Sequence, residues 1–400
     1  MARSRFFDRS DIPLEVVILL LAGMAMLVTG ILLFPVYAGT LPYYENGLYG
    51  LLLFIFALQV VALGKTPFGE MRRSTPLVAA GVIVAGVGIV TCFVPDIFSE
   101  ISRLLLFLCL APGGVVLLVQ LFVYKERARS WVKYGRLFQQ LAFGCAAVYL
   151  LSILAGLLLW KKDLLSPRGT AVAVLAYGTA IVHLAFVLRK VYGSCPAAAE
   201  PKGADLRLPI DRAMILLTGV FMVLLGLLLL PVNFGLLPFS GSAQLGLLVV
   251  ILSLQMLSTG STPIGPYPRS RFMILLGLIF AAMGVVSCII PGILVRPLTF
   301  LIALLNIAGG VIALSRMGLF QRKGSDRPGI PVPPVLSRLK SVQLAMNLVS
   351  ILFGCSMLFS GLLPGVVIGV MLAANGGLLL YMLRILADLD DLQRKAEAAA

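Results

Sequence analysis

Long apolar runs separated by short polar segments form the dominant pattern along this chain. The runs are continuous rather than alternating, and each approaches the roughly 20 residues that a helix needs to cross a bilayer core. Lipid offers no partners for unpaired backbone groups, so every run is expected to be helical. The pattern predicts an all-α polytopic integral membrane protein with about twelve spans: Leu14–Pro35, Leu48–Gly64, Pro76–Pro95, Leu104–Val123, Leu137–Trp160, Thr170–Leu188, Ala213–Leu230, Ala243–Gly260, Phe272–Pro291, Leu298–Leu314, Val342–Leu363 and Val366–Leu386.

A second pattern, of glycine, proline and a few polar residues, recurs in the chain after 196 positions. A single offset held over so long a stretch indicates a tandem duplication. Six spans in each half would give both halves the same orientation, so they are predicted to be parallel repeats. The first half covers 1–194, a cytosolic linker covers 195–206 and the second half covers 207–400. The matched positions include Pro13/Pro209, Gly23/Gly219, Gly30/Gly226, Gln59/Gln255, Thr66/Thr262, Arg73/Arg269, Gly88/Gly284, Cys92/Cys288 and Gly113/Gly309.

A finer repeat lies within each half, because four spans carry two glycines seven residues apart followed by a proline. Seven residues turn a helix by about 700°, nearly two full turns, so both glycines lie on one face. That face is predicted to be a seam against a neighbouring helix, with a ligand groove or hinge as the alternative. The repeated unit is predicted to be a two-span hairpin used six times. The four spans contain Gly23/Gly30/Pro35, Gly81/Gly88/Pro95, Gly219/Gly226/Pro231 and Gly277/Gly284/Pro291.

One of these spans carries a family resemblance. The segment Arg271–Pro291, with Gly277 and Gly284, is similar to the short membrane repeat of the HdeD acid-resistance family, and so is Ile302–Gly310 in the next span. Members of that family resemble three hairpins in six spans, and this chain resembles two of them fused. The resemblance implies a stress-associated inner-membrane protein and supplies no catalytic residues.

The net charge of +15 is explained by the distribution of Lys and Arg residues between the two sides of the membrane. If the loops alternate sides, nearly all Lys and Arg residues fall on the side that holds both termini. This bias follows the positive-inside rule, so it predicts cytosolic termini in the cell inner (cytoplasmic) membrane and contact with anionic lipid on that face. A nucleic-acid partner is not expected, whereas a homo-oligomer or a larger membrane complex is possible. The exceptions are Arg103, Lys161, Lys162, Arg168 and Arg296.

Chemistry-bearing residues are sparse inside the spans, and no enzyme is predicted. The acids lie in loops, tails and span edges, with Glu15 the deepest; it is expected to cap its helix or to pair with a nearby arginine. His183 is the single histidine and lacks a nearby acid. The six cysteines lack metal-ligand spacing and are interpreted as small packed thiols rather than disulfides. No metal or cofactor is expected.

The remaining candidates are polar residues within or beside the spans. Gln59, Gln255 and Asn306 are expected to make interhelical hydrogen bonds or to line a path for a neutral solute. Arg73 and Arg269 follow the matched turns Thr-Pro-Phe-Gly and Thr-Pro-Ile-Gly. They are expected to anchor those turns, or to contact lipid headgroups or a partner protein.

Three hypotheses on function follow from these patterns. The first is a non-enzymatic inner-membrane protein of HdeD-like type with a structural, stress-protective or assembly role. The second is a channel or carrier for a small neutral solute, lined by Gln59 and Gln255. The third is an accessory membrane subunit of a larger complex, docked through its basic cytosolic face.

Overall fold

The computed structural model describes residues 12–123, 136–161, 163–194, 209–324, 334–359 and 361–399. Within those ranges, twelve helices are long and apolar enough to cross a membrane, which confirms an all-α multi-pass membrane protein. The predicted linker 195–206 lies outside the described residues. The helices are α1 (Leu14–Tyr37), α2 (Glu45–Leu63), α3 (Thr75–Phe93), α4 (Ser99–Val123), α5 (Arg136–Trp160), α6 (Pro167–Ser194), α7 (Ile210–Asn233), α8 (Gly241–Ser258), α9 (Arg271–Ile289), α10 (Val295–Gly324), α11 (Pro334–Leu358) and α12 (Gly365–Ala399).

Two prolines at or next to the predicted ends of their spans lie inside helices in the structure. Pro35 and Pro231 occupy the last turns of α1 and α7, and each helix continues for two residues beyond its proline. Proline removes one N–H donor, but its carbonyl still accepts. Thr40 N–H donates to the Pro35 carbonyl at 3.0 Å, and Leu236 N–H donates to the Pro231 carbonyl at 3.0 Å. These bonds close the loop that follows each helix.

The chain divides into two compact units that do not follow the order of the sequence. Unit 1 contains α1–α6 together with α8 and α9, and unit 2 contains α7 and α10–α12. Unit 1 therefore combines helices from both sequence halves. The division at 195–206 remains a prediction about the repeat.

The centre of unit 1 is formed by α2 and α8, which are buried on almost all sides. Both helices are apolar around their whole circumference, a pattern that favours burial rather than a single buried stripe. In unit 1, α2 packs along α3, α8 along α9, and α1 along α6. The two central helices are therefore the most completely buried of the twelve described spans.

Glycines allow these helix pairs to approach to backbone contact. A Cβ built on Gly88 would lie 2.8 Å from the Gly50 carbonyl oxygen, and one on Gly284 would lie 2.7 Å from the Gly246 carbonyl oxygen. Real Cβ atoms do not approach that closely without movement of the neighbour. The predicted glycine seam is confirmed for α3 against α2 and for α9 against α8.

The first helix of each sequence half packs against the last helix of that half. In unit 1, a Cβ on Gly178 of α6 would lie 2.5 Å from the backbone nitrogen of Leu27 in α1. In unit 2, a Cβ on Gly376 of α12 would lie 2.6 Å from the backbone nitrogen of Val223 in α7. Leu27 and Val223 are a matched pair in the 196-residue repeat. The same contact is thus made within each unit.

Two short β-hairpins follow the central helices. β1 (Lys65–Thr66) pairs with β2 (Gly69–Glu70) after α2, and β3 (Ser261–Thr262) pairs with β4 (Gly265–Pro266) after α8. Gly64 ends α2 in the left-handed region at φ 68°, a conformation that favours glycine. The chain can therefore leave the helix directly into the first hairpin.

Candidate functional site

One end of unit 1 collects polar side chains from several helices. We call Glu15, Lys65, Arg73, Tyr192 and Arg269 the polar cap; they belong to the start of α1, the first hairpin and its following loop, the end of α6 and the loop before α9. Helix ends carry backbone groups without intrahelical partners, so side chains that satisfy them are favoured here. The cap contains both arginines that were predicted from the repeat.

Arg73 closes the end of α2. Its guanidinium donates to the carbonyl of Val61 at 3.0 Å and also to the carbonyl of Ala62. A cation at this end satisfies exposed carbonyls and interacts favourably with the helix dipole. Burial lowers the pKa of Arg73 from its ordinary value, but an arginine guanidinium remains charged at neutral pH.

Arg269 closes the end of α8 in the same way and also contacts the residues that precede α1. It donates to the carbonyl of Ser258 at 3.0 Å and to the carbonyl of Ile12 at 3.2 Å. Ser258 is the repeat counterpart of Ala62, the acceptor of Arg73. The second bond ties α8 to the residues that lead into α1. Contact of either arginine with a lipid headgroup or a partner remains a prediction.

The matched turns before these arginines are anchored by bonds within the protein. In both turns a threonine hydroxyl, of Thr66 or Thr262, donates at 2.8 Å to the carbonyl three residues on. Each turn also packs on a helix glycine: a Cβ on Gly113 would lie 2.8 Å from the Pro67 carbonyl oxygen, and Gly309 has the same relation to the second turn. The duplicated Thr-Pro-X-Gly motif therefore provides packing for α4 and α10.

Glu15 forms the one multi-partner charged cluster of the cap. Lys65 Nζ lies 2.5 Å from Glu15 Oε1, and the Tyr192 hydroxyl donates to Glu15 Oε2 at 2.5 Å. The Glu15 side chain is 21% exposed, whereas Glu70, which lies 3.4 Å from Lys65, is 71% exposed. The described partners of Glu15 are a lysine from the first hairpin and a tyrosine from α6. Pairing with an arginine remains a prediction, because the arginines before α1 lie outside the described residues.

The corresponding end of unit 2 has different chemistry. Arg212 lies 2.5 Å from Asp390 and donates to the carbonyl of Leu386 at 3.2 Å, which ties α7 to α12. The repeat counterpart of Lys65 is Ser261, so the lysine was not kept in both copies. Sequence reasoning missed Lys65 and Tyr192 because their partner lies far away in the chain. The available signal was a charge present in one copy and absent from the other.

The predicted amide residues are dispersed. Gln59 and Gln255 are half-buried near the ends of α2 and α8, about one turn before the polar cap. In unit 2, Asn306 accepts a hydrogen bond from the Ser350 hydroxyl at 2.9 Å and donates to the carbonyl of Ile302 at 2.8 Å. That arrangement is an interhelical contact between α10 and α11. A solute path lined by the two glutamines remains a prediction.

His183 and the carboxylates do not assemble a metal site in the described ranges. His183 is exposed on α6. Among the residues that the structure describes, no group of three or more His, Cys, Asp or Glu side chains could hold a metal ion. The polar cap instead makes main-chain hydrogen bonds through Arg73 and Arg269 and an ion pair between Glu15 and Lys65.

Comparisons with known proteins identify no relative of this chain. No family model, curated protein or solved structure matches the chain. The class that the fold defines is a multi-pass α-helical membrane protein.

Replacing Glu15 with glutamine is expected to lower the free energy of unfolding by about 1–2 kcal/mol, because Lys65 and Tyr192 lose a charged acceptor. The partial exposure of the pair keeps the effect below that of a fully buried ion pair. A double-mutant cycle with Lys65→Met should give a coupling of about 1 kcal/mol. Glu70→Gln removes the exposed partner of the same lysine and should change stability by less than about 0.5 kcal/mol. Equal losses for both acids would contradict the assignment.

Proposed function

We propose that this protein is a non-enzymatic component of the inner (cytoplasmic) membrane, of HdeD-like type, with a structural, stress-protective or assembly role. The observation that supports this proposal is the use of the duplicated polar residues. Arg73 and Arg269 bind the ends of α2 and α8. The turns that begin at Thr66 and Thr262 pack on glycines of α4 and α10. The polar residues that both copies share therefore make contacts within the protein that stabilise its fold.

The repeated helix contacts support an HdeD-like duplication. Gly88 and Gly284 make the same seam with α2 and α8, and Gly178 and Gly376 make the same contact with α1 and α7. Close helix approach through small residues is the main source of helix association in lipid, where no hydrophobic driving force exists between helices. In this proposal, the two sequence halves are copies of one helix arrangement that was duplicated in the chain.

The distribution of exposed side chains supports the membrane placement. Ile83 and Phe143 are large apolar residues that stand on the outer surface of helices, as lipid contact requires. Tyr37 and Trp160 lie exposed at the ends of α1 and α5, where aromatic residues favour the membrane interface. We place both termini, and the polar cap, on the cytosolic side, where exposed Lys190 is suited to anionic lipid.

Solute flux into proteoliposomes tests this proposal directly. Purified protein in vesicles of mixed zwitterionic and anionic lipid should swell in glycerol or urea gradients no faster than empty vesicles. Flux well above that of empty vesicles would contradict the proposal. It would support the channel alternative if it fell when Gln59 and Gln255 were both replaced by leucine. The matched control for that double variant is Asn306→Leu, which lies in unit 2.

A further inference from the structure

At the end opposite the polar cap, two loops of unit 1 exchange equivalent hydrogen bonds. Tyr44 N–H donates to the carbonyl of Ile289 at 2.8 Å, and Ser240 N–H donates to the carbonyl of Phe93 at 2.8 Å. Tyr44 and Ser240 are repeat counterparts, and so are Phe93 and Ile289. Reciprocal contacts of this kind define a local two-fold relation. The α2–α3 pair and the α8–α9 pair are thus related across a local axis.

Two cysteines lie beside this axis. Cys92 and Cys288 are also repeat counterparts, and they directly precede the two acceptors Phe93 and Ile289. Both side chains are buried, with 0% and 1% exposure. Their sulfur atoms lie 4.0 Å and 3.7 Å from the same carbonyl oxygen, that of Ala243. Cys92 Sγ also lies 3.8 Å from the carbonyl oxygen of Gly47, the repeat counterpart of Ala243.

Glycines on the facing helices provide the space that the two cysteine side chains occupy. A Cβ on Gly246 would lie 2.7 Å from Cys288 Sγ, and a Cβ on Gly50 would lie 2.5 Å from Cys92 Cβ. The hydroxyl of Tyr44, the residue whose N–H bonds to Ile289 beside Cys288, is buried and has no hydrogen-bond partner among the described residues. A buried O–H donor without a partner is costly, and a thiolate that forms beside it can accept its hydrogen bond.

We propose that Cys92 and Cys288 are an oxidisable dithiol, and that their disulfide covalently joins the two sequence halves. The oxidant is a second disulfide, either a small molecule or a thiol oxidase. The thiolate of one cysteine attacks that disulfide and forms a mixed disulfide, releasing one thiolate. The second cysteine loses its proton and displaces the other sulfur. One S–S bond forms within the protein, one S–S bond breaks in the oxidant, and the oxidant takes up two electrons and two protons.

The environment of the two cysteines favours a disulfide over a pair of thiolates that binds a metal ion. Both sulfurs are buried among apolar helices, where isolated charges are strongly disfavoured, whereas a disulfide is neutral. The cysteines also lie in the last turns of α3 and α9, so fraying of a helix end suffices to admit an oxidant. Oxidation is therefore expected to be slow in the intact fold and to accelerate as these turns open.

Cleavage between the halves tests the proposal. A protease site is inserted into 195–206 of a variant that keeps Cys92 and Cys288 and has its other four cysteines replaced by serine. The detergent-purified protein is incubated with oxidised glutathione and cleaved. The two halves should migrate as one band without reductant and as two bands after reduction. The uncleaved protein should lose the mass of two hydrogens.

Two control variants make the result specific. Restoring the four other cysteines while replacing Cys92 and Cys288 with serine should give separated halves under all conditions. Peptide mapping of oxidised wild-type protein, which does not depend on folding of any variant, should recover a peptide pair linked through Cys92 and Cys288. Separated halves together with unlinked thiols in the wild-type map would overturn the proposal. So would glutathione adducts that persist on either cysteine without a link.

Discussion

Gly47→Ala should lower the free energy of unfolding by about 3 kcal/mol or prevent folding altogether. Gly47 lies in the first turn of α2, and a Cβ there would overlap the carbonyl oxygen of Cys288 and lie 2.9 Å from its carbonyl carbon. The group on the other side is backbone, so no side-chain rotation relieves the clash. The two helix pairs of unit 1 would have to move apart and lose the loop bonds made by Tyr44 and Ser240.

The repeat supplies the matched control for this change. Ala243 is the counterpart of Gly47 and tolerates its own Cβ in the fold. Ala243→Gly should cost only about 1 kcal/mol, mainly through the lower helix propensity of glycine. Gly377→Ala is a second control, because nothing lies within 4 Å of its added Cβ. The loss of helical signal during SDS titration in mixed micelles measures all three. A Gly47→Ala protein as stable as wild type would show that the two backbones are not in contact.

Arg269→Gln should be the most damaging change in the polar cap, with a loss of about 2–3 kcal/mol in the free energy of unfolding. The guanidinium serves two carbonyls, those of Ser258 and Ile12, and a shorter neutral amide cannot reach both. Arg269→Lys should recover only part of the loss, since an ammonium lacks the planar fork of the guanidinium. Arg271, two residues further on, is exposed, so Arg271→Gln should change stability by less than about 0.5 kcal/mol.

The lipid environment separates the two interpretations of Arg269. If the arginine acts on the protein backbone, the same loss should appear in purely zwitterionic bicelles and in bicelles with anionic lipid. A loss confined to anionic lipid would indicate a headgroup contact instead, and it would weaken with added salt. Arg73→Gln, measured in parallel, should lose less than Arg269→Gln because the carbonyls of Val61 and Ala62 both belong to α2.

The helices and their glycine faces could be predicted because both depend on local patterns. Runs of apolar residues define a membrane helix, and the seven-residue spacing of Gly81 and Gly88 places them on one face. That the face meets a neighbouring backbone followed from the small size of glycine, and Gly88 against Gly50 confirms it. Helix ends were predicted less closely: α1 ends two residues after the predicted bound at Pro35, and α7 ends three residues after the predicted bound at Leu230.

The candidate site was only partly accessible from the sequence. Arg73 and Arg269 stood out because duplication repeated them, but their acceptors are main-chain carbonyls, which any residue carries and no sequence pattern marks. Lys65 was marked only by its absence from the second copy, which does not name its partner. Neither Lys65 nor Tyr192 could be paired with Glu15 from the sequence, because Glu15 lies 50 and 177 positions away.

The sequence by itself determined that this is a multi-pass helical protein built on repeated small-residue faces, because apolar length and helical periodicity act over a few turns of one chain segment. Only the tertiary structure decided that α8 and α9 join the helices of the first half, and that Cys92 and Cys288 approach the same carbonyl, that of Ala243. Those arrangements depend on which backbones fit closely in three dimensions. The 196-residue repeat shows which residues of the two halves are equivalent, but it does not show whether equivalent residues are in contact.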